Sequence, residues 1–163
     1  MSNNELTLRP LEDADVALFT EWLNKDYILK WYTAPAEWLA EVNGRRGEYA
    51  WIHHFIVMEG GAPIGFCQYC DCYDAGEIED WYNALKPGDT YSIDYLIGEE
   101  SRLGKGYGKA IVQLLTKAVA KIPGAKQIIV QPDAENHASN GVLLANGYTY
   151  DAAKKYYYKL LLN

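Results

Sequence analysis

The stretch that decides how this chain folds runs from Tyr91 to Gln113: Tyr91-Ser-Ile-Asp94-Tyr-Leu-Ile97, then Gly98-Glu-Glu-Ser-Arg102, then Leu103-Gly-Lys-Gly-Tyr-Gly108-Lys-Ala-Ile-Val-Gln113. An apolar, strand-forming run with one carboxylate, Asp94, at its centre gives way to a glycine-rich turn, and the turn opens an amphipathic helix. A helix start leaves backbone N–H groups without partners and carries partial positive charge, so a phosphate can settle there. Gly104, Gly106 and Gly108 let the main chain approach closely and take positive φ where needed, and Lys105 and Lys109 add charge. A nucleotide P-loop is excluded, because Gly108-Lys109-Ala110 has neither the required spacing from an earlier glycine nor the hydroxyl that binds magnesium. The dinucleotide fingerprint is excluded as well, since the glycines fall in a G-x-G-x-G rhythm.

Toward the amino terminus, Ile64 to Tyr73 and His54 to Met58 read as a hairpin around Glu59-Gly-Gly-Ala-Pro63. Leu6 to Arg9 alternates as a first strand. Asp13 is expected to cap a helix whose apolar face is Val16, Leu18, Phe19, Trp22 and Leu23, and a second helical stretch runs from Pro35 to about Val42. Between the hairpin and the central strand, Asp74 to Asp89 is acidic, carries Trp81 and Tyr82, and reads as a long loop or short helix of the kind that often bears function. Toward the carboxyl terminus, the helix from about Gly106 to Ala120 is predicted to bury Ile111, Leu114, Leu115, Ala118 and Val119 and to stop at Pro123-Gly124. Gln127 to Val130 follows as a short buried strand, Asn136 to Asn146 as a helix closed by Gly147, and Tyr148 to Asp151 pairs with Tyr156 to Leu162. The fold class is therefore α/β in the α+β sense, a mixed sheet with helices outside it.

At 163 residues the chain is expected to form one domain, 1–163, with a substantial core. An apolar fraction of 49% with 23% charged residues indicates a globular protein. A net charge of −7 argues against nucleic acid as the main partner and favours a cationic one. Neither a targeting segment nor an apolar run of membrane-spanning length is visible, so a cytoplasmic location without membrane contact is expected. Cys67, Cys70 and Cys72 share one apolar run, and strand alternation would separate the first from the other two. Buried thiols in a reducing compartment, with no metal site, are expected. His53, His54 and His137 read as structural or solvent-facing.

The glycine turn resembles the acyl-CoA loop of the GNAT superfamily of N-acetyltransferases, and the predicted element order matches that arrangement. Asn136-His-Ala-Ser139, with Gly147-Tyr148 at the far end of its helix, resembles the second signature of the same superfamily. The resemblance implies a mostly antiparallel sheet whose central strands splay apart to admit the pantetheine arm of acetyl-CoA, the cosubstrate. It implies that acetyl-CoA is held by Tyr95, Leu96 and Ile97 of the central strand, by Leu103, Gly104, Lys105, Gly106, Tyr107, Gly108 and Lys109 of the loop, and by Asn136 and Ser139. Backbone N–H groups near Tyr95 and Leu96 would polarise the acetyl carbonyl.

A finer resemblance, to the aminoglycoside 6'-N-acetyltransferases, rests on an ordered set of pieces: Glu21 to Asn24 with Ile28 to Tyr32, Pro63 to Phe66, Asp80 to Tyr82, Ile93-Asp94, and Leu103 to Gly106. It implies a small-molecule amine as acceptor, with Trp31, Tyr32, Trp81 and Tyr82 offering flat faces and Glu79, Asp80 and Asp94 offering acceptors for ammonium groups. Trp31 suits the core equally well. An alkylammonium must lose a proton before it can attack a thioester, and the resemblance places the accepting carboxylate at Asp94; a hydrogen-bonded strand residue or a simple anchor for the substrate is the plainer role for it. One position departs from the pattern: Leu143 stands where many members carry a tyrosine that protonates the leaving thiolate. Leucine there also resembles the ribosomal-protein N-terminal acetyltransferases, so peptide amines are the second acceptor class, and a non-catalytic acyl-CoA sensor is the third reading. The sequence is compatible with a monomer or a homodimer.

Overall fold

The computed structural model describes residues 5–76 and 86–161. Among these residues, seven strands form one sheet in the order β1-β2-β3-β4-β5-β7-β6. They are β1 (Leu6–Pro10), β2 (Ile52–Glu59), β3 (Ala62–Asp71), β4 (Thr90–Ile97), β5 (Gln127–Val130), β6 (Thr149–Asp151) and β7 (Tyr156–Leu160). Among the described residues, only β4 and β5 run parallel. Helices α1 (Val16–Leu23), α2 (Asp26–Leu29) and α3 (Pro35–Asn43) fill the β1–β2 connection, α4 (Tyr107–Ala120) joins β4 to β5, and α5 (His137–Ala145) joins β5 to β6.

Both faces of the sheet are covered, which is why its central strands read as near-continuous apolar runs. Ile56, Phe66 and Leu96 point to one face and pack under Phe19, Trp22, Leu23 and Val42 of α1 and α3. Val57, Cys67, Tyr91 and Ile93 point to the other and meet Ile111, Val112, Leu115 and Val119 of α4 and Leu143 of α5. The hairpin is tighter than its sequence signal, with strands running to Glu59 and from Ala62 and a Gly60-Gly61 turn in which Gly60 has φ +60.

Three local expectations are corrected. Asp13 does not cap α1: the chain makes a 3₁₀ turn over Asp13–Asp15 closed by a Glu12–Asp15 capping box, while the Asp13 carboxylate pairs with Arg45 and Arg46. The buried face of α4 is turned from the predicted one, with Val112 and Thr116 buried and Leu114 and Ala118 only half-buried. Thr116 tolerates burial because its hydroxyl meets that of Tyr148 at 2.7 Å. His53 and His54 lie within β2 rather than before it or at its start.

Cys67, Cys70 and Cys72 are buried thiols outside any disulfide, Cys67 in the core beneath α4 and Cys72 in a separate cluster with Ile129 and Tyr156. Among the described residues no cluster is arranged to hold a metal ion, and no helix is long and apolar enough to cross a membrane.

Gly98 ends β4 directly under α1. A β-carbon there would stand 2.1 Å from the fully buried indole of Trp22, whose Nε1 donates to Glu99 at 2.8 Å. Gly98→Ala is therefore expected to cost about 3 kcal/mol, the upper end of ordinary overpacking, and a denaturant melt would show a lowered midpoint.

Candidate active site

The site is built on a sheet that opens. Strand β4 pairs with β5 only at Thr90↔Gln127 and Tyr91↔Ile128, whereas it stays in register with β3 along its length to Ile97. From Ser92 onward one edge of β4 therefore faces a slot instead of a neighbour. Backbone groups in a strand alternate in direction, so every second residue presents both its N–H and its C=O to that slot. The Tyr95 carbonyl accepts from the Tyr32 hydroxyl, and the Ile97 carbonyl from the Tyr27 hydroxyl at 2.8 Å. With both of these carbonyls occupied, the Tyr95 and Ile97 N–H groups are left to donate, and the stretch of the slot from Tyr95 to Ile97 acts as a donor surface. The Leu96 backbone turns the other way: its carbonyl lies 2.5 Å from where a β-carbon on Gly65 of β3 would sit. Of the two amides expected to polarise an acetyl carbonyl, only that of Tyr95 faces the slot, and Ile97 joins it.

A cavity of about 230 Å³ continues this edge, lined by Tyr27, Trp31, Tyr95, Ile97, Leu103, Asn136 and Ser139 among others. Asn136 caps α5, its Oδ1 accepting from the Ser139 N–H at 3.2 Å, which leaves its Nδ2 group to donate. At the mouth, Gly104 and Gly106 adopt φ +71 and +86, and a β-carbon on either would meet nothing within 4 Å. Their conformation, rather than crowding within the protein, requires glycine. Gly108 differs. It is helical and buried, and a β-carbon would touch Tyr95 and Val142 at 3.4 Å, so it lets α4 seat against β4 and α5. Lys105 and Lys109 are exposed beside the turn. Glu59, at the end of β2, anchors the loop by accepting from the Tyr107 hydroxyl and from Arg102 at 2.8 and 3.0 Å. The Tyr107 hydrogen bond, then the Arg102 pair, holds the Glu59 carboxyl below its ordinary value of 4.5.

Asp94 lies mid-strand on β4, half-buried, and accepts from Gln68 Nε2 at 3.0 Å. It opens into a second cavity of about 200 Å³, walled by Trp31, Tyr32 and Trp38 and floored by Ser92, Tyr95, Asp133 and Asn136. Tyr32 and Trp38 meet edge to face with ring centroids 4.9 Å apart. Burial, reinforced by the Asp94 charge, holds the Tyr32 phenol well above its ordinary value of 10.0. Tyr95, Asn136 and Ser139 line both cavities, so the donor slot and the carboxylate share a wall.

Residues 12–155 match the family of the acetyltransferase (GNAT) domain. The chain belongs to the GNAT acetyltransferases. It is 27% identical over 145 residues to the aminoglycoside N(6')-acetyltransferase type 1 of Klebsiella pneumoniae, a span of 83% of this chain and 69% of that protein. The crystal structure of aminoglycoside acetyltransferase AAC(6')-Ib in complex with coenzyme A superposes with a TM-score of 0.82 at 26% identity, covering 96% of this chain and 95% of that one. The spermidine N-acetyltransferase of Vibrio cholerae shares the fold, with a TM-score of 0.74 at 16% identity over 96% of this chain and 95% of that one.

In this GNAT domain the residues expected from sequence divide into three groups. Asp94, Tyr95, Leu96, Ile97, Leu103, Asn136, Ser139, Trp31 and Tyr32 line the two cavities. Gly104, Lys105, Gly106, Tyr107, Gly108 and Lys109 form the turn and first helical residues at the mouth. Glu79, Asp80, Trp81 and Tyr82 lie outside the described residues. Trp31 is half-buried and faces both cavities, which sets aside the reading of it as core. Leu143 is 1% exposed and belongs to the core under α4, so that helix position presents nothing to a leaving thiolate. Trp38, Tyr27, Asp133 and Gln68 were missed. Trp38 and Tyr27 sit in short helices whose amphipathic pattern is weak, and Asp133 and Gln68 carry no motif.

A buried histidine near the site makes stability depend on pH. Burial pushes His54 down to about 4, with the Gln68 side chain opposing the shift. The folded protein holds the ring neutral while the unfolded chain takes up a proton near pH 6.5, so the contribution to stability is full above that pH and falls as the pH drops toward 4. The loss amounts to about 3 kcal/mol at the lower end. Denaturant melts between pH 7 and pH 4 should record that decline, and His54→Phe should flatten it.

Proposed function

We propose that this GNAT domain transfers an acetyl group from acetyl-CoA directly to a primary amine of an aminoglycoside-type substrate, with Asp94 accepting the proton. The observation that carries this reading is the shared wall: a strand edge whose Tyr95 and Ile97 carbonyls are occupied and a carboxylate in an aromatic cavity meet at Tyr95. The loop glycines and exposed lysines suit a diphosphate, and the Tyr95 and Ile97 N–H groups suit the carbonyls of a pantetheine arm and thioester. The substrate ammonium gives one proton to Asp94, the amine nitrogen bonds to the acetyl carbon, and as the carbon–sulfur bond breaks to release CoA thiolate the nitrogen loses its second proton to solvent, leaving a neutral amide. With Leu143 buried, water is the donor that returns a proton to the sulfur.

The aromatic faces of Trp31, Tyr32 and Trp38, together with Asp94 and Asp133, match a sugar carrying several ammonium groups. The relatives support the same acceptor class, since one solved structure of AAC(6')-Ib, 26% identical, is a complex with coenzyme A and kanamycin. Thiol release with acetyl-CoA and a panel of kanamycin, spermine and an N-terminal alanyl peptide tests the reading. Turnover confined to kanamycin and its relatives is expected. Turnover confined to the peptide would move the acceptor to protein amino termini, and none with any amine would overturn the proposal.

A further inference from the structure

Three side chains on adjacent strands form a polar row across the sheet face that carries Asp94. His54 of β2 is in register with Gln68 of β3, and Gln68 with Asp94 of β4, so the three point to the same face. The row begins in the interior, with His54 5% and Gln68 4% exposed, and ends at the acceptor cavity. Its groups differ in what they can donate. An ionised carboxylate only accepts, an amide has one end of each kind, and a neutral imidazole has one N–H. Gln68 Nε2 donates to Asp94 Oδ2 at 3.0 Å, which leaves Gln68 Oε1 buried with no other donor. His54, opposite Gln68 in register, likewise has both ring nitrogens buried without a partner, and its ring stacks on Phe66 with centroids 5.9 Å apart. A buried amide oxygen without a partner is costly, so the single imidazole proton is best directed to Oε1. The reversed amide would turn Oε1 toward the carboxylate and set two acceptors against each other.

We propose that Gln68, oriented by His54, is a positioning residue that holds one oxygen of Asp94 and turns the other toward the acceptor amine. The inference rests on the reading of Asp94 as the base in acetyl transfer. Among the described residues, Tyr32 from the α2–α3 connection, Tyr95 of β4, Cys72 beyond β3 and Asp133 beyond β5 are titratable groups beside Asp94, and none is altered in the test.

Gln68→Met keeps the volume and removes the donor. It should lower kcat for kanamycin about 10- to 100-fold, the range for a hydrogen bond to a charged group, and leave KM for acetyl-CoA unchanged. In an Asp94→Asn background the same change should add nothing, because a residue that works through Asp94 has nothing left to position. His54→Phe should lower kcat about 2- to 10-fold, with recovery in His54→Gln, which retains an N–H donor; this pair keeps the test open if Gln68→Met does not fold. An unchanged kcat in Gln68→Met, or full additivity with Asp94→Asn, would overturn the proposal. If the parent protein acetylates no amine, the acetyl-transfer reading fails by itself, and carbon-13 NMR decides the inference. The Asp94 carboxyl signal should then titrate at higher pH in Gln68→Met than in the parent, and an identical midpoint would rule against Gln68.

Discussion

Asp94→Asn is expected to lower kcat for amine acetylation by about 10²- to 10⁴-fold, the usual contribution of a positioned general base. The substitution is nearly isosteric, and an asparagine oxygen can still accept from Gln68 Nε2, so the cavity should keep its shape. What disappears is the ability to take a proton from an ammonium that is almost wholly protonated at neutral pH. Affinity for acetyl-CoA should not change, because the glycine turn and the Tyr95 and Ile97 amides are untouched. Steady-state kinetics at saturating acetyl-CoA, beside titration calorimetry of the cosubstrate, separate the two effects. A kcat within a few-fold of the parent would remove Asp94 as base and leave it as an anchor for the substrate ammonium. A fall in both kcat and acetyl-CoA affinity would indicate that the strand itself had been disturbed.

Gly106→Val should do the reverse. Gly106 has φ +86, where a residue with a side chain is disfavoured by about 1–2 kcal/mol and a β-branched one by more. Open space surrounds the position, so the strain lies in the backbone, and valine would relieve it by leaving the conformation proposed to aim the loop amides at a phosphate. Affinity for acetyl-CoA is expected to weaken about 10- to 30-fold, with kcat at saturation close to that of the parent, since Asp94 lies on a different element. Titration calorimetry with acetyl-CoA measures this directly, and an unchanged Kd would argue that the turn does not hold the diphosphate. The Glu59 anchor makes the effect local, because Tyr107 remains tied to Glu59 whatever stands at residue 106.

Local elements were legible in the sequence where local physics governs them. Gly104 and Gly106 take positive φ, the helix expected over Asn136 to Asn146 forms over His137–Ala145, with Asn136 as its cap, and β5 has the bounds expected of Gln127 to Val130. In each case sterics and hydrogen bonds within a few residues decide the conformation. The helix face of α4 was less legible, because two overlapping stripes of Ile, Val and Leu satisfy a helical period equally well. Which of them is buried depends on how α4 beds between the sheet and α5. Asp13 was misread for a similar reason: as a cap it competes with Arg45 and Arg46, more than 30 residues away along the chain.

By itself, then, the sequence determined the strand, the anion turn and the helix, the strand alternation that places Asp94 on one face, and the family to which these pieces belong. Only the tertiary structure decided that β4 leaves β5 after Tyr91, that Tyr27 and Tyr32 occupy its carbonyls and leave donors in the slot, and that Gln68 meets Asp94 from 26 residues away. A peptide unit's conformation is set by its neighbours in the chain. Its partner across a sheet is set by the register and layer packing that bury the most apolar surface, and those are properties of the whole molecule.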